Sequence, residues 1–321
     1  MRTVAAALLV ILLALPSGCG GDDSGGSAGG QPSNAEAGDP ATDKLAQVLA
    51  RGTLILSTDI QYPPQSFDVK GAERRPGSAC PANLRTAPEV GGYDVDTGKL
   101  VAKALGVEPC FVTPSWTEIT AGNWSDRWDI AFGSGAITAD RMTRLWMTAP
   151  YRAEPQRFYV RADSTYRRPS DLDGKRIGVC ASCSIEAYLK NDLELPGVEL
   201  VPKVQHPALV AYDIDPPGLK DLGKGKLDGY ACNENVGKQA IKDGLPIRAL
   251  DDPAFEEYLA GFVDKNSGLD VGPFIKRLDE IVAKLHADGA LKRLSVKYFG
   301  RDYAARAARF DMDSIGQRVG S

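Results

Sequence analysis

The chain has 321 residues, 43% hydrophobic and 25% charged, with Lys+Arg 38 against Asp+Glu 42 and a formal net charge of −4. That length allows about two domains at ~100–200 residues each, and the charge balance excludes a broad basic surface for nucleic acid. The two histidines, His206 and His286, leave little basis for His-rich metal chemistry, and neither a metal nor a cofactor is expected.

Arg2 is the only charge before residue 22, and Thr3 to Leu15 is nearly all apolar. The run is shorter than the ~20 apolar residues of a membrane span and has the length of a signal-peptide hydrophobic region. It ends in Leu15-Pro16-Ser17-Gly18-Cys19, which looks like a bacterial lipobox with Cys19 as the lipidated mature N-terminus. Pro16 departs from that pattern, in which an aliphatic residue stands three before the cysteine. Plain secretion with Cys19 removed or idle is the alternative. Residues 20–43 are rich in Gly, Ser, Asp, Asn and Pro and carry too few apolar groups to offset the entropy of ordering, so they read as a flexible tether.

Export permits disulfides. Cys80, Cys110, Cys180, Cys183 and Cys232 follow Cys19, and an odd number leaves one over. Cys180-x-x-Cys183 is compatible with a redox motif or with a structural bridge, and no second such pair is present to complete a zinc site.

Gly52 to Asp59 reads as a short apolar strand ending in polar residues. Asp94 or Asp96 can cap a helix running to Leu105, stopped by Gly106. Strands follow at Val107–Val112, Trp128–Gly133, Arg176–Cys180 and Leu227–Cys232. Ile275, Leu278, Val282 and Leu285 form a helical stripe; Gly289 interrupts it, and Leu291, Leu294 and Tyr298 continue on a second helix. This alternation predicts an α/β architecture with mainly parallel sheets, in which ligands meet the carboxyl ends of strands. Gly223-Lys224-Gly225-Lys226 lacks the spacing of a phosphate loop and reads as a turn. No Ser-His-Asp arrangement is persuasive, and no aromatic residues interleave with a basic run.

Several segments, taken in order, resemble one family. They are Asp59-Ile60-Gln61-Tyr62-Pro63-Pro64, Gly92-Tyr93-Asp94-Val95-Asp96, Trp128-Asp129-Ile130-Ala131 with Ile137-Thr138-Ala139-Asp140-Arg141, and Pro150-Tyr151. Asp171-Leu172-Asp173-Gly174-Lys175-Arg176-Ile177-Gly178-Val179, Ala287-Asp288-Gly289 and Tyr298-Phe299-Gly300 complete the series. The chain resembles the extracellular solute-binding proteins of polar amino-acid ABC importers, with the type 2 periplasmic binding fold. The resemblance runs from about Leu45 to Gly300 and implies two α/β lobes joined by two hinge crossings. It implies lobe 1 at residues 44–152 plus 260–300, lobe 2 at 153–259, and a C-terminal tail at 301–321, behind a leader at 1–19. The solute would lie between the lobes and be buried by hinge closure. The implied partners are a small polar solute, a membrane permease and the lipid anchor, with the protein a monomer at the cell envelope.

The resemblance also implies site residues. Arg141 stands where the family's arginine grips a substrate carboxylate through a planar fork; by itself it is a surface arginine at a polar helix start. Tyr62 and Trp116 match aromatic positions that flank the ligand. Ser134 follows the Trp128 strand. Asp59 is placed near a ligand ammonium or caps its own Pro-Pro turn. Cys183 and Ser184 fall at a helix start. Asn233 stands where an aspartate for the α-ammonium is usual, with Glu234 adjacent as a substitute. Ala136 replaces the usual hydroxyl, and Gln65 a common aromatic residue. Cys80–Cys110 is expected as one bridge, holding the Gly71–Gly91 insertion near the cleft mouth, and Cys232 with Cys180 or Cys183 as another. Two other roles are possible on this scaffold, a ligand sensor or adaptor in the envelope and a dehydratase-type enzyme.

Overall fold

A computed structural model describes residues 38–316; the expected leader, Cys19 and most of the tether lie outside them. The last tether residues already belong to the body, because Asp43 caps the first helix and bridges to Asp270. Among the described residues no helix is long and apolar enough to cross a membrane.

In chain order the first half comprises α1 (Lys44–Arg51), β1 (Thr53–Ser57), β2 (Gln61–Tyr62), β3 (Ser66–Asp68), β4 (Arg85–Thr86), β5 (Val90–Gly91), α2 (Tyr93–Leu105), β6 (Glu108–Val112), α3 (Trp116–Ala121), β7 (Ile130–Ala136), α4 (Ala139–Met142) and β8 (Leu145–Met147). There follow β9 (Arg152–Arg161), β10 (Arg176–Cys180), α5 (Ser184–Lys190), β11 (Ala208–Tyr212), α6 (Asp215–Gly223), β12 (Gly229–Asn233), α7 (Glu234–Lys242), β13 (Ile247–Asp264), α8 (Gly272–Ala287), α9 (Ala290–Phe299) and α10 (Ala304–Ala307).

One sheet runs β11-β10-β12-β9-β13-β7-β1-β6-β4, with β8 paired to β13; β2, β3 and β5 form a small separate sheet. Two sectors are parallel, β7-β1-β6 and β11-β10-β12. Between them lies an antiparallel ribbon, in which β9 pairs with β13 from Leu259↔Arg152 to Ile247↔Arg161. Strand alternation sorts side chains onto the two faces of each sector. Leu54 and Leu56 join one core with Ile130 and Phe132, whereas Ile55 and Ala131 join the core on the opposite face. In the other sector Phe158, Val160, Ile177, Val179 and Ala231 share one core, and Tyr159, Tyr230 and Cys232 the other.

Some expectations change here. α2 is capped at Gly92 (φ 124) rather than by Asp94 or Asp96; Asp94 is buried in its first turn. A Cβ at Gly92 would lie 2.2 Å from the carbonyl oxygen of Gln65, so only glycine fits. The expected tail packs as far as residue 316: Tyr303, Ala304, Ala307 and Ile315 are buried. Cys80–Cys110 forms, but the second bridge is Cys180–Cys183 and Cys232 is free. Cys183 packs on the face away from Cys232, and Cys180, on the strand beside that of Cys232, is taken by Cys183 three residues on.

Candidate functional site

A cavity opens where the parallel strands end. Asp59 and Tyr62 follow β1, Gly133 and Ser134 lie in β7, Cys180 ends β10, Asn233 ends β12, and Asp213, Ile214 and Asp215 follow β11. The ribbon adds Gln156 from β9 and Glu257 from β13, and Ser66, Trp116, Arg141, Cys183 and Ser184 complete the wall. The strand-end rule therefore locates it.

Arg141 is 4% exposed. Thr138 caps its short helix and aims the side chain inward. Its guanidinium donates from Nη1 to the Ala136 carbonyl at 3.0 Å and from Nη2 to the Ser182 carbonyl at 2.9 Å. Its Cζ stands 5.1 Å from the Trp116 ring centroid and 5.8 Å from that of Phe262. None of these partners is an anion, and burial pulls the guanidinium down to about 10. Gly133 lines the cavity beside the Trp116 ring.

Glu257 is the counterpart. It is 2% exposed and accepts from Gln156 Nε2 at 2.7 Å, from Asn233 Nδ2 at 2.9 Å and from the Ser184 hydroxyl. These donors are neutral. The Ser184 hydroxyl is thus directed at a carboxylate of β13. Asn233 Oδ1 receives the Tyr62 hydroxyl, and Trp116 Nε1 donates to the Ser182 carbonyl at 3.2 Å. These bonds, with Ala139 N to Glu194 O at 3.0 Å, tie the two halves of the sheet across the cavity.

Asp59 faces the cavity and also caps its own turn, accepting from Gln61 N at 2.9 Å; burial raises its carboxyl. The Ser134 hydroxyl is committed to a buried cluster below the floor, donating to Asp94 and accepting from Arg152. Arg152 also pairs with Glu154, and all three charged side chains of the cluster are 0% exposed.

Glu234 is not at the cavity. Its side chain turns away to Arg157 Nε at 2.6 Å, to the Tyr303 hydroxyl at 2.7 Å and to Lys238, which lower its carboxyl to about 2 against its burial. The acid beside Asn233 is instead Glu257, distant in sequence. The Gly71–Gly91 insertion supplies no wall residue; its β4 pairs with β6 at the sheet edge. Sequence reading missed Gln156, Asp213, Asp215 and Glu257. The run Ala208-Leu209-Val210-Ala211-Tyr212 before Asp213 was the available signal, an apolar strand ending in acids.

A sequence profile of bacterial extracellular solute-binding proteins, family 3, matches residues 76–301. The chain belongs to this family. The L-cystine-binding protein TcyJ of Escherichia coli strain K12 is similar, 25% identical over 260 residues that cover 80% of this chain and 86% of that protein. Among solved structures, a protein bound to L-arginine superposes with a TM-score of 0.68 at 17% identity, covering 85% of this chain and 99% of its own. An ancestral amino-acid-binding protein, a precursor of cyclohexadienyl dehydratase, gives 0.64 at 22%, covering 80% and 100%. The fold is that of these two-lobed family 3 binding proteins, and the cavity of this one lies between the halves of the sheet.

Proposed function

We propose that this family 3 protein captures a free amino acid between its lobes and delivers it to the permease of an ABC importer, as a binder and not an enzyme. One observation carries the reading. A buried guanidinium, Arg141, and a buried carboxylate, Glu257, face one cavity, and each is hydrogen-bonded by neutral groups rather than by a counter-ion. A zwitterion satisfies both at once: its carboxylate takes the Arg141 fork and its α-ammonium takes Glu257, with Asn233 orienting Glu257. Tyr62 and Trp116 pack on the carbon skeleton, and Cys180 and Cys183 complete the wall. The relatives named for cystine and arginine support an amino-acid ligand.

The lobes divide at the ribbon, with 44–152 plus 260–300 on one side and 153–259 on the other. Bending at β9 and β13 would open the cavity. The ligand then acts as the bridge that favours the closed form, and differential affinity for that form is what the permease reads. Cys19 anchors the body to the membrane through its tether.

The test is a thermal-shift and calorimetric screen of the mature protein over the amino acids, dicarboxylates and polyamines. Saturable binding of an amino acid, recovered unchanged, is expected, because a ligand that binds the native state raises Tm by mass action. Failure of every amino acid to bind, or its conversion to product, refutes the reading. Anchoring is tested separately: Cys19→Ala should release the protein from membranes.

A further inference from the structure

The Arg141–Glu257 pair accounts for part of the cavity wall. The wall also carries Asp59, Asp213 and Asp215, so four carboxylates line it against a single guanidinium. Asp215 is the informative one. It is the first residue of α6, a nine-residue helix, and is 1% exposed. Tyr230 donates its hydroxyl to Oδ1 at 2.8 Å, while Oδ2 is buried with no hydrogen-bond partner. No ion pair neutralises it among the described residues; the charged group that it feels is another acid of the wall, Asp59. A fully buried carboxylate oxygen without a donor is costly unless something positive meets it.

We propose that Asp215, with Asp59 nearby, is the subsite for a second positive charge on the solute, so that the transported class is amino acids with a cationic side chain. This rests on the amino-acid reading above, with the α-groups held at Arg141 and Glu257. The ammonium or guanidinium of the solute then supplies the donor that Asp215 Oδ2 lacks. Burial and the neighbouring Asp59 push Asp215 up to about 7. A cation arriving there favours the ionised form, so binding at neutral pH releases a proton, and affinity rises as pH increases from 6 to 8. The other titratable groups facing Asp215 are Tyr62, Tyr230 and Cys232, all held well above their ordinary values and so protonated across that range, together with Asp213 at the wall.

The experiment is calorimetric titration of the mature protein with L-arginine, L-lysine and L-citrulline, the last a neutral isostere of arginine. The wild type should bind arginine or lysine at least tenfold more tightly than citrulline. D215N should remove that preference while leaving citrulline within about twofold of its wild-type affinity. Equal wild-type affinity for arginine and citrulline overturns the proposal and leaves the amino-acid function standing, as does binding of neutral amino acids alone. Failure of every amino acid overturns both. If D215N does not fold, the wild-type pH series decides: a flat arginine affinity between pH 6 and 8 overturns the proposal, and a rise supports it.

Discussion

Replacing Arg141 with methionine separates a ligand contact from a structural strut, because the two roles predict opposite patterns. Methionine keeps an unbranched stem between Trp116 and Phe262 but removes the charge and two N–H···O bonds, to Ala136 and Ser182. Those bonds contribute about 0.5–1.5 kcal/mol each. Against them stands the cost of burying a cation without a counter-ion, which lowers its pKa from 12.5 to about 10, about 3 kcal/mol. The two effects nearly offset, so the unliganded variant should melt within a few degrees of wild type. Ligand affinity behaves differently. Removing one partner of a buried, hydrogen-bonded charge pair costs about 3–5 kcal/mol, so the amino acid found in the screen should bind about 10²–10⁴-fold more weakly. The assay is calorimetry with that amino acid and with its methyl ester. The wild type should prefer the acid by a similar factor, and R141M should barely distinguish the two, which closes a double-mutant cycle between guanidinium and carboxylate. Unchanged acid affinity, or a large drop in Tm with acid-over-ester selectivity retained, would show that Arg141 only braces the Ser182 loop.

Three further outcomes are expected. Glu257→Gln keeps the shape and hydrogen bonds of the ribbon but removes its charge, so the amino acid should bind about 10–100-fold more weakly while its des-amino acid is unaffected; equal losses for both in the same titration would make Glu257 structural. Cys80 and Cys110 close a loop at a sequence separation of 30. Replacing both with serine should therefore cost about 3–4 kcal/mol in chemical denaturation with ligand affinity intact, since neither lines the cavity; a loss below about 1 kcal/mol would count against the loop-closure account. Glu234 has a folded pKa depressed from 4.5 to about 2. Its stabilisation is complete above about pH 4.5 and disappears as pH falls towards 2. Because Arg157 and Lys238 are partly exposed, screening reduces it to about 1–2 kcal/mol. Glu234→Gln should flatten that acid limb of the stability curve, and an unchanged limb would refute the assignment.

Local periodicity and punctuation made much of the frame readable. The strand ending at Asp59, the strand around Ile177, and the stripe of Ile275, Leu278, Val282 and Leu285 broken at Gly289 depend on residues close together in the chain. The same is true of the positions that follow strand ends. Asp59, Tyr62, Ser134 and Asn233, which the family resemblance nominated, stand where a parallel sheet presents its carboxyl edge.

The pairing of distant segments was not readable. Glu257 sits in a strand of 18 residues whose Asp251-Asp252-Pro253 interior looks like a loop; the ladder with β9 shifts register there, and its resumption beyond brings Glu257 beside Asn233. Glu234 was nominated by adjacency in sequence, but helix α7 turns its side chain to Arg157 and Tyr303. Cys180 bridges to Cys183, which caps the start of α5 three residues on, and leaves Cys232 of the neighbouring strand free. Local pattern determines which face a side chain takes relative to its own backbone. What it meets there is decided by packing, because the groups that complete a buried charge come from wherever the chain returns.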